Sequence, residues 1–127
     1  MPAPSDAPHL PRSAPIEAYG KGGFAFAEMS HRGSLLCLPE AIWAWPVVRP
    51  EQIDSASLAR VFEAAHAIDT LIIGTGTGVW QAPPALREAL RAVRVVLDTM
   101  QTGPAITTYN IMIGERRRVA AALIAVP

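Results

Sequence analysis

The chain has little of several things that usually announce a function. Cys37 is its single cysteine in 127 residues. No disulfide can close within one chain, so a reducing compartment is the default expectation. Lys21 is the single lysine beside ten arginines, and 11 basic residues balance 11 acidic ones. A nucleic-acid binder normally carries a basic excess, so the balance argues against nucleic acid as a partner. No apolar run reaches the roughly 18 residues needed to cross a bilayer. The most apolar stretch, Val119 to Val126, is strand length, so no membrane insertion is expected. A charged segment followed by an apolar one, the mark of a secretory leader, is also missing, and the expected address is the cytoplasm. His9, His31 and His66 are scattered without metal-ligand spacing. No metal and no cofactor is expected.

What is present describes a globular protein. Half the residues are hydrophobic and 17% are charged, within the ordinary range. This length suits one domain with its own core. The bias to arginine and alanine is that of a GC-rich bacterial genome. Residues 1–15, "MPAPSDAPHLPRSAP", carry five prolines and few large apolar groups. Such composition predicts a Pro-rich disordered tail, and removal of residues 1–14 is expected to leave thermal stability nearly unchanged. The single folded domain is then expected over residues 16–127.

The first half of that domain reads as short strands. Gly20, Gly22 and Gly23 punctuate a turn, Phe24 and Phe26 alternate after it, and His31-Arg32-Gly33 reads as a further turn. Ser34 to Leu38 and Ala41 to Pro46 read as two more strands, giving an antiparallel meander of about four. Trp43 and Trp45 have the same parity and share a strand face. After Pro50 the pattern changes. Asp54 or Ser55 can cap a helix, and Leu58, Val61, Phe62, Ala65 and Ile68 fall at helical spacing. "TLIIG" reads as a buried strand. Pro84 suits a first helical position, and Leu86, Leu90 and Val93 line one face. "VRVVLDT" reads as a second buried strand. Thr102 reads as an N-cap, and Ala105, Ile106, Tyr109, Met112 and Ile113 share one helix face. "RRVAAALIAV" closes the chain as a strand. Strand, helix, strand, helix, strand requires a parallel crossover. The predicted class is therefore α/β, a mixed central β-sheet with packed helices plus an N-terminal antiparallel β-meander.

Gly74, Gly76 and Gly78 in "LIIGTGTGVW" invite comparison with a nucleotide loop. The dinucleotide fingerprint needs a third glycine at position 79, which is Val79, and no Gly-Lys-Ser/Thr follows. The next helix begins only at Pro83-Pro84, too late to aim its N–H groups at a phosphate held by the glycines. A tight, positive-φ exit from a buried strand explains the glycines. A small-ligand edge is the alternative, since α/β sheets bind ligands at strand C-termini. Its candidate residues are Gly74, Thr75, Gly76, Asp98, Thr102, Thr108, Tyr109 and Asn110. Helix packing and capping account for the same hydroxyl and amide groups, and no general base stands beside them. Trp43 and Trp45 form a candidate docking patch, and Arg116, Arg117 and Arg118 a candidate basic one. Core packing for a tryptophan, and a solvated helix end for the arginines, are the plainer readings. Cys37, flanked by leucines, reads as an inert core residue.

The order of "GSLLCLPEAIWAW", "LIIGTG" and "MQTGPAITTYNIMIGERRRVAAALI" resembles a small domain of unknown function. That domain is found in mitochondrial respiratory complex I assembly factor 3, in an adipogenesis-associated protein and in many uncharacterised prokaryotic proteins. The resemblance covers nearly all of residues 16–126. It implies a single α/β domain and a non-catalytic role supporting assembly of the NADH dehydrogenase. Protein partners, its subunits or assembly intermediates, follow from it, as does a place peripheral to the inner membrane through a partner. Three positions depart from the family's usual pattern. Gln101 stands where an Asp is usual, and Ile106 and Thr107 stand where Cys and Arg are usual in Cys-Arg-Thr-Tyr-Asn, this chain reading Ile106-Thr107-Thr108-Tyr109-Asn110. A structural or docking role fits those losses better than a catalytic one.

Overall fold

The computed structural model describes residues 8–127. Strands β1 (Ala18–Gly20), β2 (Gly23–Phe26) and β3 (Met29–Arg32) form a small antiparallel sheet. Phe24 and Phe26 alternate onto its buried face, as a two-residue period requires. Gly20, Lys21 and Gly22 turn the chain with φ of 129°, 53° and 80°. The next turn is less comfortable. Phe26 pairs with Met29, so Ala27 and Glu28 alone connect β2 to β3, with φ of 48° and 63°. Two positive φ values mark a turn type that favours Asn-Gly, and neither residue here is one of those.

Strands β4 (Ser34–Cys37), β5 (Ile42–Trp45), β6 (Thr70–Gly74), β7 (Val96–Met100) and β8 (Val119–Leu123) form the main sheet in the order β5-β4-β8-β6-β7. β6 runs parallel to β7 and β8, while β4 runs antiparallel to β5 and β8. The mixed α/β sheet expected from the sequence is therefore present. The four-strand meander is not. Five strands occupy that half, and β4 and β5 leave the small sheet to join the main one. His31 and Arg32 lie in β3, and Gly33 alone, at φ of 101°, bends the chain into β4.

Both faces of the main sheet are covered, so its central strands read as continuous apolar runs. Leu36, Leu71, Ile73, Ala120 and Ala122 face one core with helices α1 (Ala59–Glu63) and α2 (Pro84–Ala92). Leu35, Cys37, Ile72, Ala121 and Leu123 face the other, with helix α3 (Thr102–Gly114) and the phenylalanines of β2. Pro84 begins α2 as expected, and Ala105, Ile106, Tyr109 and Met112 are the buried face of α3.

Three further expectations need correction. The helix expected through Ile68 stops at Glu63, and Ala65–Ala67 tighten into a 3-10 turn. The chain must enter β6 at Thr70, and a tight last turn redirects it. The second strand read as buried, β7, is an edge strand with Val96 64% exposed. β-branched composition suits either position, and only the partner count decides. The third concerns the tail. Residues 1–7 lie outside the described residues, but Leu10, Ala14 and Ile16 are buried in the second core. Ile42 N–H donates to Leu10 O (2.9 Å) and His9 N–H to Ile42 O (2.8 Å), bridging the edge of β5. Sparse apolar groups suffice where each meets a preformed hollow.

Two stability predictions follow from these contacts. Removing residues 1–14 takes Leu10 and Ala14 from the core, and should cost about 2 kcal/mol or more. Calorimetry should show the melting temperature falling by roughly 5 °C or more; an unchanged melting curve would restore the mobile-tail reading. Replacing Ala27-Glu28 by Asn-Gly (A27N/E28G) should raise the unfolding free energy by about 1 kcal/mol, read as a higher urea midpoint.

Candidate functional site

The sequence-derived ligand residues separate into groups. Gly74, Thr75, Gly76 and Thr102 meet where β6 ends and α3 begins. The chain exits β6 toward α2 on one face and β7 toward α3 on the other. Such a reversal opens a crevice at strand C-termini in many α/β sheets. Here Thr102 fills it. Its side chain is fully buried. Thr102 Oγ1 accepts from Gly76 N–H at 2.9 Å and donates to Ile124 O at 2.7 Å, while Thr102 N–H donates to Gly76 O at 3.0 Å. Thr102 is the first residue of α3, not its N-cap, which is Gln101. The hydroxyl expected to cap the helix instead joins the ends of β6 and β8.

The three glycines have different reasons. A Cβ on Gly74 would lie 3.0 Å from Thr102 Cα and 3.1 Å from Leu123 Cδ2, so close approach selects glycine there. Gly76 takes the left-handed backbone, φ 84°. Gly78 faces open space. The positive-φ exit therefore lies at Gly76, two residues beyond the last residue of β6. Thr75 Oγ1 donates to Gly78 O (2.6 Å), folding the loop back on itself, and Thr75 N–H donates to Met100 O (2.8 Å).

The remaining candidates point elsewhere. Asp98 pairs in register with Ile72 on the α3 side of the sheet and is exposed at the edge. Thr108 Oγ1 reaches Met100 Sδ at 3.7 Å. Tyr109 is buried, and its hydroxyl donates to Ala14 O at 3.3 Å. Asn110 holds Ile16 as a strand neighbour would. Its Oδ1 accepts from Ile16 N–H (2.9 Å) and its Nδ2 donates to Ile16 O (2.8 Å). Burial pushes the neighbouring Cys37 thiol up to about 12 and raises the Tyr109 hydroxyl as well. A thiol held protonated is a poor nucleophile, so Cys37 is the inert core residue expected. Gln101 and Thr107, where the chain departs from the family pattern, are both exposed.

The docking residues also divide. Trp45 is buried and its Nε1–H donates to Ser57 O at 2.8 Å. It is a core residue, the plainer of the two readings, and is lost to the candidate docking patch. Trp43, on the same face, is half-buried. The Arg60 guanidinium lies 3.4 Å above its ring, a cation–π geometry, and its indole N–H is buried with no hydrogen-bond partner among the described residues. Arg116, Arg117 and Arg118 are exposed beyond α3. Arg118 makes a two-pronged contact with Asp69 at 2.7 and 3.3 Å, and that hydrogen bond holds the carboxyl below its usual range. Arg117 lies 3.9 Å from Glu115. Such exposed pairs contribute little stability.

Sequence spacing concealed one meeting. His9 and His31 lie with ring centroids 4.4 Å apart. Ser34 O can only accept, so His31 Nε2, 3.2 Å away, carries the proton. Burial first, and His9 second, lower the His31 pKa. Among the described residues no helix is long and apolar enough to cross a membrane.

The Thr102 junction gives a direct test. Thr102→Val keeps the shape but leaves Gly76 N–H and Ile124 C=O without their buried partner. Urea unfolding should show a loss of about 2 kcal/mol, with Thr102→Ser retaining most of the stability. Equal midpoints for wild type and Thr102→Val would remove the hydroxyl from its central place.

Known proteins share this arrangement. A Rhodopseudomonas palustris protein solved by NMR is 73% identical, with a TM-score of 0.84 over all of this chain and 94% of its own. A crystal structure named as an outer membrane protein of Bartonella henselae is 44% identical, with a TM-score of 0.90 over 94% of this chain and all of its own. NADH dehydrogenase [ubiquinone] 1 alpha subcomplex assembly factor 3 of Xenopus tropicalis is 32% identical over 109 residues, 86% of this chain and 60% of that protein. This chain thus spans less than two thirds of that assembly factor's length. The resemblance expected from the strand, glycine-loop and C-terminal motifs holds, and the names of several relatives indicate an assembly-factor role at the level of the family. The family pattern for a protein of unknown function (DUF498/DUF598) matches residues 16–124, and this chain belongs to that family.

Proposed function

We propose that the chain is a non-catalytic interaction protein that supports assembly of respiratory complex I. The observation carrying this reading is its similarity across most of its length to complex I assembly factor 3 of several animals. The structure lends physical support. At the crevice where an α/β enzyme would place its ligand, Thr102, Thr75 and Gly76 spend their polar groups on one another and on the ends of β6 and β8. Tyr109 and Asn110 hold the N-terminal segment. The alternative is a small-ligand site where the Gly74–Gly78 loop meets Asp98, Thr102, Thr108, Tyr109 and Asn110. It draws less support, because those hydroxyl and amide groups already have partners within the chain. On the favoured reading the protein works in the cytoplasm, held at the inner membrane by its partner.

Affinity capture of the tagged chain from gently solubilised membranes of its host tests this. Mass spectrometry should find NADH dehydrogenase subunits or assembly intermediates enriched, and deletion of the gene should lower the level of assembled complex I. Charge reversal at the exposed Arg116 and Arg117 should weaken capture if that helix end docks. A clean capture with no partner, together with unchanged complex I activity in the deletion strain, would overturn the reading.

A further inference from the structure

We propose that the open edge of the main sheet, between α2 and β7, is a docking groove for an extended acidic segment of a partner protein. This rests on the interaction-protein reading only in that the occupant is a polypeptide. A cavity of about 580 Å³ lies here, walled by Arg87, Arg91, Arg94, Val96, Leu97 and Thr99 among others.

The backbone is placed to receive a strand. β7 has β6 on one side and, among the described residues, no strand on the other. Val96 N–H donates to Asp69 O (2.9 Å), and Met100 O accepts from Thr75 N–H (2.8 Å). The even-numbered residues therefore turn their backbone groups inward to β6. Strand alternation turns those of Leu97 and Thr99 outward. An extended peptide can satisfy them by adding a strand. The opposite edge, β5, is already bridged at Ile42 by the backbone of His9 and Leu10. Beside the open edge, Val96 and Leu97 offer apolar contact.

Charge selects the occupant. Among the described residues three guanidinium groups line the groove and no carboxylate does, in a chain whose net charge is zero. Glu88 reaches Arg91 at 3.2 Å, but both side chains are mostly exposed, so solvent screens the pair and Arg91 remains a strong attractor. Arg94 closes α2. Val95 N–H bonds Leu90 O (3.0 Å) and Arg94 N–H bonds Arg91 O (2.9 Å), the two bonds of a helix ending that normally uses glycine. Arg94 accepts φ of 62° there, which sets an arginine where glycine would be easier.

Other occupants fit less well. A second copy pairing β7 to β7 about a two-fold axis would bring the arginine cluster onto its own image. A single-stranded nucleic acid wants aromatic platforms for its bases, and among the described residues no aromatic one lines the groove.

The test uses the isolated full chain and a fluorescein-labelled peptide of about eight residues alternating glutamate with valine and threonine, the spacing a strand edge reads. A matched lysine peptide, oligo-dT and citrate are the comparisons. The acidic peptide should bind saturably, weaken as salt rises from about 50 to 500 mM, and shift the backbone amides of Leu97 and Thr99 in NMR spectra. Arg91→Glu should abolish binding. Arg94→Gly is the more telling variant. It relieves the left-handed backbone, so the melting temperature should rise while peptide affinity falls roughly fivefold or more. Unmoved Leu97 and Thr99 amides, equal binding of the lysine peptide, unaltered affinity in Arg94→Gly, or displacement by oligo-dT or citrate at matched charge would each overturn the proposal. Because the chain is tested alone, failure here leaves the complex I reading to its own capture experiment.

Discussion

One buried hydroxyl organises the C-terminal ends of the main sheet. Thr102 Oγ1 sits between Gly76 N–H and Ile124 C=O, so the loop after β6, the start of α3 and the residue after β8 are joined through a single atom. Without it, the loop after β6 and the residue after β8 would each bury a backbone group with nothing to bond, at a cost comparable to a lost hydrogen bond. The close packing extends from there. Gly74 has no room for a Cβ beside Thr102 and Leu123, and Ile124 N–H bonds Gly74 O at 2.9 Å. Parallel strands, which cannot be tied by a short hairpin, are here tied by a helix's first residue.

That constraint explains which part of the sequence was legible. Apolar periodicity located β6, β8, α2 and α3, because packing against both faces of one sheet demands those patterns. The departures have one cause. Asn110 and Tyr109 looked like ligand groups because their partners, Ile16 and Ala14, lie 94 and 95 residues away in the chain. A polar side chain in a helix shows its chemistry in the sequence but not its distant partner. Residues 9–15 looked like solvent-borne tail for the same reason. Their composition excluded helix and strand, correctly, but Leu10 and Ala14 were too few to advertise the hollows they fill. His9 and His31 meet only because that segment docks.

Trp45 and Trp43 show how far a face assignment reaches. Equal parity placed them together, and both pack toward the same core. Parity does not state depth. Trp45 found an acceptor in Ser57 O, as a buried indole N–H usually does. Trp43 is half-buried, capped by Arg60 on one face of its ring, and its N–H has no partner among the described residues. The same limit applies to β7, whose β-branched residues look identical whether one neighbour or two lie alongside.

The balanced charge of the chain conceals how its arginines are distributed. Arg94 and Arg116 occupy equivalent places, each in left-handed backbone at the end of a helix, with φ of 62° and 61°. Both endings use the same pair of backbone bonds, since Arg116 N–H reaches Ile113 O and Arg117 N–H reaches Met112 O, each at 3.0 Å. Conformation alone therefore does not single out Arg94. Surroundings do. Beyond α3, Arg117 and Arg118 beside Arg116 pair with Glu115 and Asp69. Beyond α2, Arg94 joins Arg87 and Arg91 along a groove that no carboxylate of the described residues lines, beside a strand edge with outward amides. Like charge, offset at Arg91 by the exposed Glu88, next to unused backbone hydrogen-bonding groups disfavours this surface in isolation, and an acidic strand relieves both conditions at once.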